Sequence, residues 1–366
     1  MRAATVPTPN RRPVLIAVAV VAVAATVGIW VLSRSDGSTA AAPAPSIAAP
    51  VQVPATTSTI TPVRTGRVTT WQVPEALVGL RGVAVAPDGT VWVTEQNRGQ
   101  VDALVGNRLT RYHVEHVFPD AGAFGFGWGP GGALWFTGYP GGTLGRVMPD
   151  RAINLFEGRS DSATTLGIAQ GPDGSMWATD PNLGSLVRIA ADGTLSPVIV
   201  SHDGGQTQRP GFVVDGGDGN MWFTIPDTSQ VASVPATGDP TVTRYTVPGH
   251  VTPRNIVAAG DGTLWVSLED RPALAHVDEA TGHVTIVPLT GVKIPTDGLN
   301  DLALAKDGTL WVTTPSATVV HVDPANGRVI EETKIPGALY ADGITVAGDG
   351  SVWVAARDDL IARIAP

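Results

Sequence analysis

Asp88-Gly89-Thr90-Val91-Trp92 is a Gly-bearing turn, two residues, then a tryptophan, and the phrase returns six more times along the chain. Asp173-Gly174-Ser175-Met176-Trp177 and Asp349-Gly350-Ser351-Val352-Trp353 keep its pattern, whereas Gly131-Gly132-Ala133-Leu134-Trp135 replaces the Asp. The copies end at Trp92, Trp135, Trp177, Trp222, Trp265, Trp311 and Trp353, spaced by 43, 42, 45, 43, 46 and 42 residues. A fixed period in this range belongs to repeat architectures and fits propeller blades. It fixes architecture and says little about chemistry, because one propeller scaffold hosts many unrelated functions.

Around each Trp the text is all-β. A small apolar strand such as Gly82-Val83-Ala84-Val85-Ala86 leads into the Asp-Gly turn, which suits a tight hairpin. The Trp strand follows, then a third strand such as Ser185-Leu186-Val187-Arg188-Ile189, then a fourth such as Thr243-Arg244-Tyr245-Thr246-Val247. Val, Thr, Trp and Tyr between turn signals read as strands. The last repeat stops after its third strand, Leu360-Ile361-Ala362-Arg363-Ile364. Arg67-Val68-Thr69-Thr70-Trp71-Gln72-Val73-Pro74 reads as the missing fourth. The expectation is an all-β, seven-bladed β-propeller over residues 66–366, its ring closed by residues 67–74 completing the last blade. Closure removes the open edges that invite aggregation.

The N-terminal part reads differently. Val14 to Leu32 is apolar except for Thr26 and Gly28, long enough for a transmembrane helix across a bilayer core of roughly 30 Å. Arg2, Arg11 and Arg12 precede it, so residues 1–13 are expected to stay cytoplasmic and 14–32 to act as a signal-anchor. Cleavage near Ala40-Ala41-Ala42 and secretion is the alternative, although Pro43 follows directly. Residues 33–65, rich in Ala, Pro, Ser and Thr, read as a linker and stalk. The expected location is the cell membrane, single-pass, with the propeller on the extracytoplasmic side. No Cys is present, so no disulfide supports it there.

The chain carries −9 overall, with five Arg and one Asp in residues 1–65, which leaves −13 on the remainder. An acidic domain argues against nucleic acid as partner, since phosphate binding needs a basic face.

Several phrases resemble the virginiamycin B lyase (streptogramin lyase) family of seven-bladed propellers. They are Ala86-Pro87-Asp88-Gly89 with Trp92-Val93-Thr94-Glu95, Gly171-Pro172-Asp173-Gly174 with Trp177, and Leu134-Trp135-Phe136-Thr137 with Leu144-Gly145-Arg146-Val147. The resemblance implies a C–O lyase whose site uses two His and two Glu on the late blades. Those positions fall here on Asn300 and Asp342 for the His, and on Tyr340 and Arg357 for the Glu. All four differ, which removes the base of near-neutral pKa that an elimination needs. Asp342-Gly343-Ile344-Thr345-Val346 is also similar to the Asp-bearing stretch of gluconolactonase-like, metal-dependent propellers, with Asn300 one blade earlier. Arg81 stands where that family places a Glu.

The residue before each inner strand is expected to line the channel mouth. The seven are Arg81, Phe124, Leu166, Pro210, Arg254, Asn300 and Asp342, an apolar run of three beside a polar arc of four. Such a mouth suits an amphiphilic ligand. Arg81, Phe124, Arg254, Asn300, Tyr340 and Asp342 are the candidate ligand-binding residues, and Glu269 and Asp342 the candidate catalytic ones. Glu269 could equally form a salt bridge with Arg254. His250 lies in the loop before Arg254, while His276 and His321 share a strand position with Arg146, Arg188 and Arg363. Two functions follow. One is a monomeric binding module for a small molecule, peptide or cell-envelope component, with no cofactor. The other is an enzyme on cyclic esters or lactones, lyase-like or metal-dependent, with Mg²⁺ or Ca²⁺ held at Asn300 and Asp342.

Overall fold

A computed structural model describes residues 53–366, apart from 75–77, 115–121, 139–141, 157–163, 201, 204–205 and 292–297. Seven antiparallel blade sheets follow one another along the chain, with a two-stranded pair, His202–Asp203 and Gln206–Thr207, between blades three and four. Blade one runs through Leu80–Val85, Val91–Glu95, Gln100–Val105 and Arg108–Tyr112, inner strand to outer. Blades two to six repeat this order. Blade seven takes Ala341–Val346, Val352–Ala356 and Leu360–Ile364 from the C-terminal end. Its fourth strand, Val68–Gln72, comes from the other end of the chain, with Val68 opposite Ile364 and Gln72 opposite Leu360. The donated strand therefore closes the ring.

The expected linker ends earlier than its composition suggests. Ala55–Thr59 pairs with the outer strand of blade one, and Pro62–Thr65 pairs with the donated strand of blade seven. Both blades thus have five strands, and residues 55–65 form an arm across the rims of the two blades that meet at ring closure. Ile60 is buried at the crossing, where its N–H donates to the Asn107 carbonyl at 2.8 Å. The physical cause is local. Thr56, Thr57 and Thr59 are β-branched and suit an edge strand, a signal that the Ala/Pro run upstream swamps when the segment is averaged. The apolar run 14–32, its signal-anchor reading and residues 1–13 lie outside the described residues. Among those described, no helix is long and apolar enough to cross a membrane.

Each Asp-Gly turn is a hairpin. The Asp carboxylate accepts the N–H two residues on, as from Thr90 to Asp88 and Ser175 to Asp173, at 2.9 and 3.0 Å. Gly89 sits at φ +83°, where a side chain would be strained. The Trp rings pack between blades: Trp92, Trp135 and Trp311 join buried clusters shared with blades two, three and seven. His276 and His321 lie on Trp265 and Trp311, with centroids 4.6 and 4.1 Å apart. Arg146 and Arg363 occupy the same place over Trp135 and Trp353. These residues belong to the blade core rather than to a site.

Neighbouring blades are stitched around the channel by hydroxyls two residues after each Trp. Thr94 accepts the Gly82 N–H and donates to the Phe124 carbonyl of blade two, both at 2.7 Å. Thr137, Thr179, Thr224, Ser267 and Thr313 repeat the pair of bonds into the next blade. The seventh position is Ala355, which has no hydroxyl. The belt is thus open between blades seven and one, the junction that the arm spans outside.

Candidate functional site

The inner strands begin at the channel mouth, and four of them begin with a bulge. Pairing slips between Leu80 and Val83, Ala123 and Phe126, Pro253 and Ile256, and Ala341 and Ile344. Arg81, Phe124, Arg254 and Asp342 occupy these bulges, which re-aim side chains out of the ladder. In three of the four bulges the next residue is Gly82, Gly125 or Gly343, and a Cβ there would collide with the Phe124, Leu166 or Arg81 carbonyl of the adjoining blade.

Asp342 is the hub of the mouth. Its Oδ2 accepts from Arg357 Nε at 2.8 Å and from Arg81 Nη1, and its Oδ1 accepts from Arg254 Nη2 at 3.1 Å. Burial works to raise the Asp342 pKa, and Arg254, Arg81 and Arg357 together outweigh it, holding the carboxyl below the ordinary range. Arg254 Nη1 also holds Glu269 at 2.8 Å, so the salt bridge expected for Glu269 is formed. Arg81 donates to Gln96 and lies over the Phe124 ring, 5.3 Å from its centroid.

The four positions singled out by the family resemblance come together, but as a locked polar cluster. Asn300 is fully buried; its amide donates to the Ala341 carbonyl at 2.6 Å and its Oδ1 accepts from Tyr340 OH at 3.1 Å. The Arg357 guanidinium lies over Tyr340, 3.9 Å from the ring centroid. Asn300 and Asp342 are poor candidates for a metal pair, because one is saturated by neutral partners and the other is ringed by guanidinium groups that would repel a cation. Among the described residues no group of three His, Asp or Glu is placed to hold a metal ion.

A cavity of about 350 Å³ opens beneath this rim. Phe124, Phe126, Leu166 and Phe212 supply its apolar wall, and Arg81, Arg254, Asn255, Asp301 and Asp342 its polar side. The mouth residue of blade four is Gly211 rather than Pro210, since Gly211 O takes the Thr179 hydroxyl in the belt. Pro210 is buried, and Phe212 reaches the cavity instead. His250 is exposed in its loop, at φ 50°.

Asn255 and Asp301 escape the sequence reading for one reason. Blades one, two, three and seven place Gly after the mouth residue, whereas blades four, five and six place Phe212, Asn255 and Asp301 there. The departure from Gly is the signal that could have found them. Asp301 accepts from the Leu302 and Ile344 N–H groups at 2.8 and 3.1 Å, and from the Asn255 amide. Withdrawal from water pushes its pKa up to about 7, against those backbone donors, with the Asp342 charge adding to the rise.

A family model described as the virginiamycin B lyase family matches residues 66–364. No curated protein matches the chain. A solved streptogramin B lyase is 22% identical with a TM-score of 0.72, covering 81% of this chain and 96% of that one. The virginiamycin B lyase of Staphylococcus aureus is 22% identical with a TM-score of 0.72, covering 81% and 98%. A catalytically inactive variant of that enzyme with quinupristin is 21% identical, with a TM-score of 0.71 over 81% and 98%. At such identities the likeness is one of fold alone.

Proposed function

The chain belongs to the virginiamycin B lyase family, and from that premise we propose that its channel mouth binds a small molecule, peptide or envelope component and does not open a cyclic ester. The observation that carries the reading is the cluster of Asn300, Tyr340, Asp342 and Arg357. Positions where the family resemblance expects two bases and two acids hold an amide, a phenol, a carboxylate paired with three guanidinium groups and one of those guanidiniums. None of them is poised to take a proton near neutral pH, which general-base catalysis requires. The cavity and the mixed apolar and charged wall remain, as a ligand site needs. Incubation of the protein with cyclic depsipeptides and lactones tests this directly, and ring opening in proportion to enzyme would sink it.

One observation favours an enzyme as second reading. Asp301 faces the cavity with its pKa near 7, and a base tuned in this way is what acid–base catalysis uses. Should turnover be found, Asp301→Asn abolishes it in this reading, while Glu269→Gln does not.

The proposal also places the propeller, as a monomer, outside the cell on the anchor of residues 14–32, supported by that run's length and by the Arg residues before it. Membrane fractionation with a mass of the mature chain decides between retention and cleavage near Ala42. A mature chain beginning near Pro43 in the soluble fraction would replace the anchor with secretion.

A further inference from the structure

Resting on the mouth as a binding site, we propose that the channel takes an organic carboxylate, its anion on the free edge of Arg357 and its small apolar body against Phe124, Leu166 and Phe212. The convergence of three guanidinium groups points to an anion. Arg81, Arg254 and Arg357 converge on one carboxylate, Asp342, and only Arg254 reaches a second, Glu269, which lies half in solvent. Three guanidinium groups thus meet Asp342 and Glu269, with Asp301 on the cavity wall, its pKa pushed up to about 7 by burial, in a domain that is otherwise acidic.

Arg357 is the group presented to a ligand. Its Nε is bonded to Asp342 and its Cζ lies over the Tyr340 ring, so two contacts hold the guanidinium before any ligand arrives. Its two terminal nitrogens make no hydrogen bond to a described residue, and its side chain is 33% exposed. A planar fork with a free edge matches a carboxylate in two parallel bonds. Arg254 and Arg81 are more enclosed and committed to Asp342, Glu269 and Gln96, and serve to keep the rim positive. Arg81 also links the two halves of the site, since it bonds Asp342 while lying over Phe124. A cavity of about 350 Å³ admits a ring or short acyl chain and excludes a large macrocycle. An ammonium ligand would face the three guanidinium groups.

Three probes of one shape test the inference: hydrocinnamate, its amide, and phenylpropylamine, titrated into the full chain by calorimetry or saturation-transfer NMR. Hydrocinnamate is expected to bind about tenfold tighter than the amide, the worth of a charge-assisted bond in a partly wet site, and the amine weakest. Arg357→Gln should erase the preference for acid over amide, and Arg357→Lys should restore part of it. Phe124→Ala should weaken acid and amide equally and leave their ratio intact. Equal affinity for acid and amide in the wild type, or a preference that survives Arg357→Gln, overturns the inference while the response to Phe124→Ala keeps the mouth as a site. No binding of any probe at millimolar concentration overturns both.

Discussion

Arg254 of blade five reaches past blade six to Asp342 of blade seven, Nη2 to Oδ1 at 3.1 Å, while its Nη1 holds Glu269 of its own blade. Asp342 in turn holds Arg81 of blade one and Arg357 of its own blade. The side chains at the mouth therefore tie three blades together through one carboxylate. Removing that charge leaves three cations facing each other with little water to separate them. Asp342→Asn is expected to cost about 2–4 kcal/mol, below the upper range for buried pairs because the Arg side chains keep some solvent. Denaturant unfolding measures it, and a loss below about 0.5 kcal/mol contradicts the hub.

The hydroxyl belt predicts opposite effects at two positions. Thr179 is fully buried and bonds the Gly167 N–H at 3.0 Å and the Gly211 carbonyl at 2.7 Å. Thr179→Val keeps the shape and strands both partners, at a cost of about 1–3 kcal/mol. Ala355→Ser supplies the missing seventh hydroxyl beside Gly343 and the Arg81 carbonyl and is expected to stabilise by about 0.5–1 kcal/mol. Thermal unfolding of the two variants, read against wild type, checks the signs.

The stability of this propeller should fall as pH rises above the usual carboxylate range. Glu95 and Asp102 are fully buried in blade one beside Arg111, with Arg111 Nη2 at 2.9 Å from Glu95 and Nε at 3.4 Å from Asp102. Burial first, and the Asp102 charge second, push Glu95 well above its ordinary value, against the pull of Arg111. Asp301 rises to about 7. In the window above about pH 4 the folded chain holds protons that the unfolded chain has released, so each step up in pH favours unfolding. Asp342, held below its ordinary value, acts only under more acidic conditions and does not offset this trend. Glu95→Gln imitates the protonated acid. It should flatten the decline between about pH 5 and 8 and add roughly 1–3 kcal/mol at the upper end. An unchanged slope would show that Glu95 is ionised in the folded state.

The arm predicts a graded response to truncation. A chain beginning at Arg67 loses the fifth strands of blades one and seven, both largely exposed, and should fold with a lowered unfolding temperature. A chain beginning at Val73 loses the fourth strand of blade seven, including Trp71, which stacks on Trp353 at 5.4 Å. That chain exposes an open strand edge and should aggregate. Size-exclusion chromatography and thermal melts separate the two outcomes, and equal stability of both truncations would refute the role of the donated strand.

The sequence makes the blades legible because each one repeats the same packing problem: a Trp, a Gly turn and, in six of the seven, a hydroxyl at fixed spacing. Ring closure by Val68–Gln72 is legible for the same reason, since its alternation matches the other fourth strands. The arm is not, because Thr56 and Thr57 differ little from their surroundings in composition and only an available strand edge orders them. At the mouth, Arg81, Phe124, Arg254 and Asp342 can be placed from strand starts. Asn300 is the misleading case: it has the right position but is turned inward to Ala341 and Tyr340, while Asp301 takes the cavity. Which of two adjacent residues faces a channel depends on the bulge, and the bulge depends on the neighbouring blade's carbonyl, a contact absent from any local pattern.

Whether this member of the family performs ring opening at all is directly measurable. Quinupristin incubated with a stoichiometric amount of the full chain, then resolved by chromatography with mass detection, decides this. Elimination would give an isomer of unchanged mass and shifted elution, whereas hydrolysis would add one water. The cyclic compound is expected to elute unchanged. An isomeric linear product, formed in proportion to the protein and lost in Asp301→Asn, would contradict it.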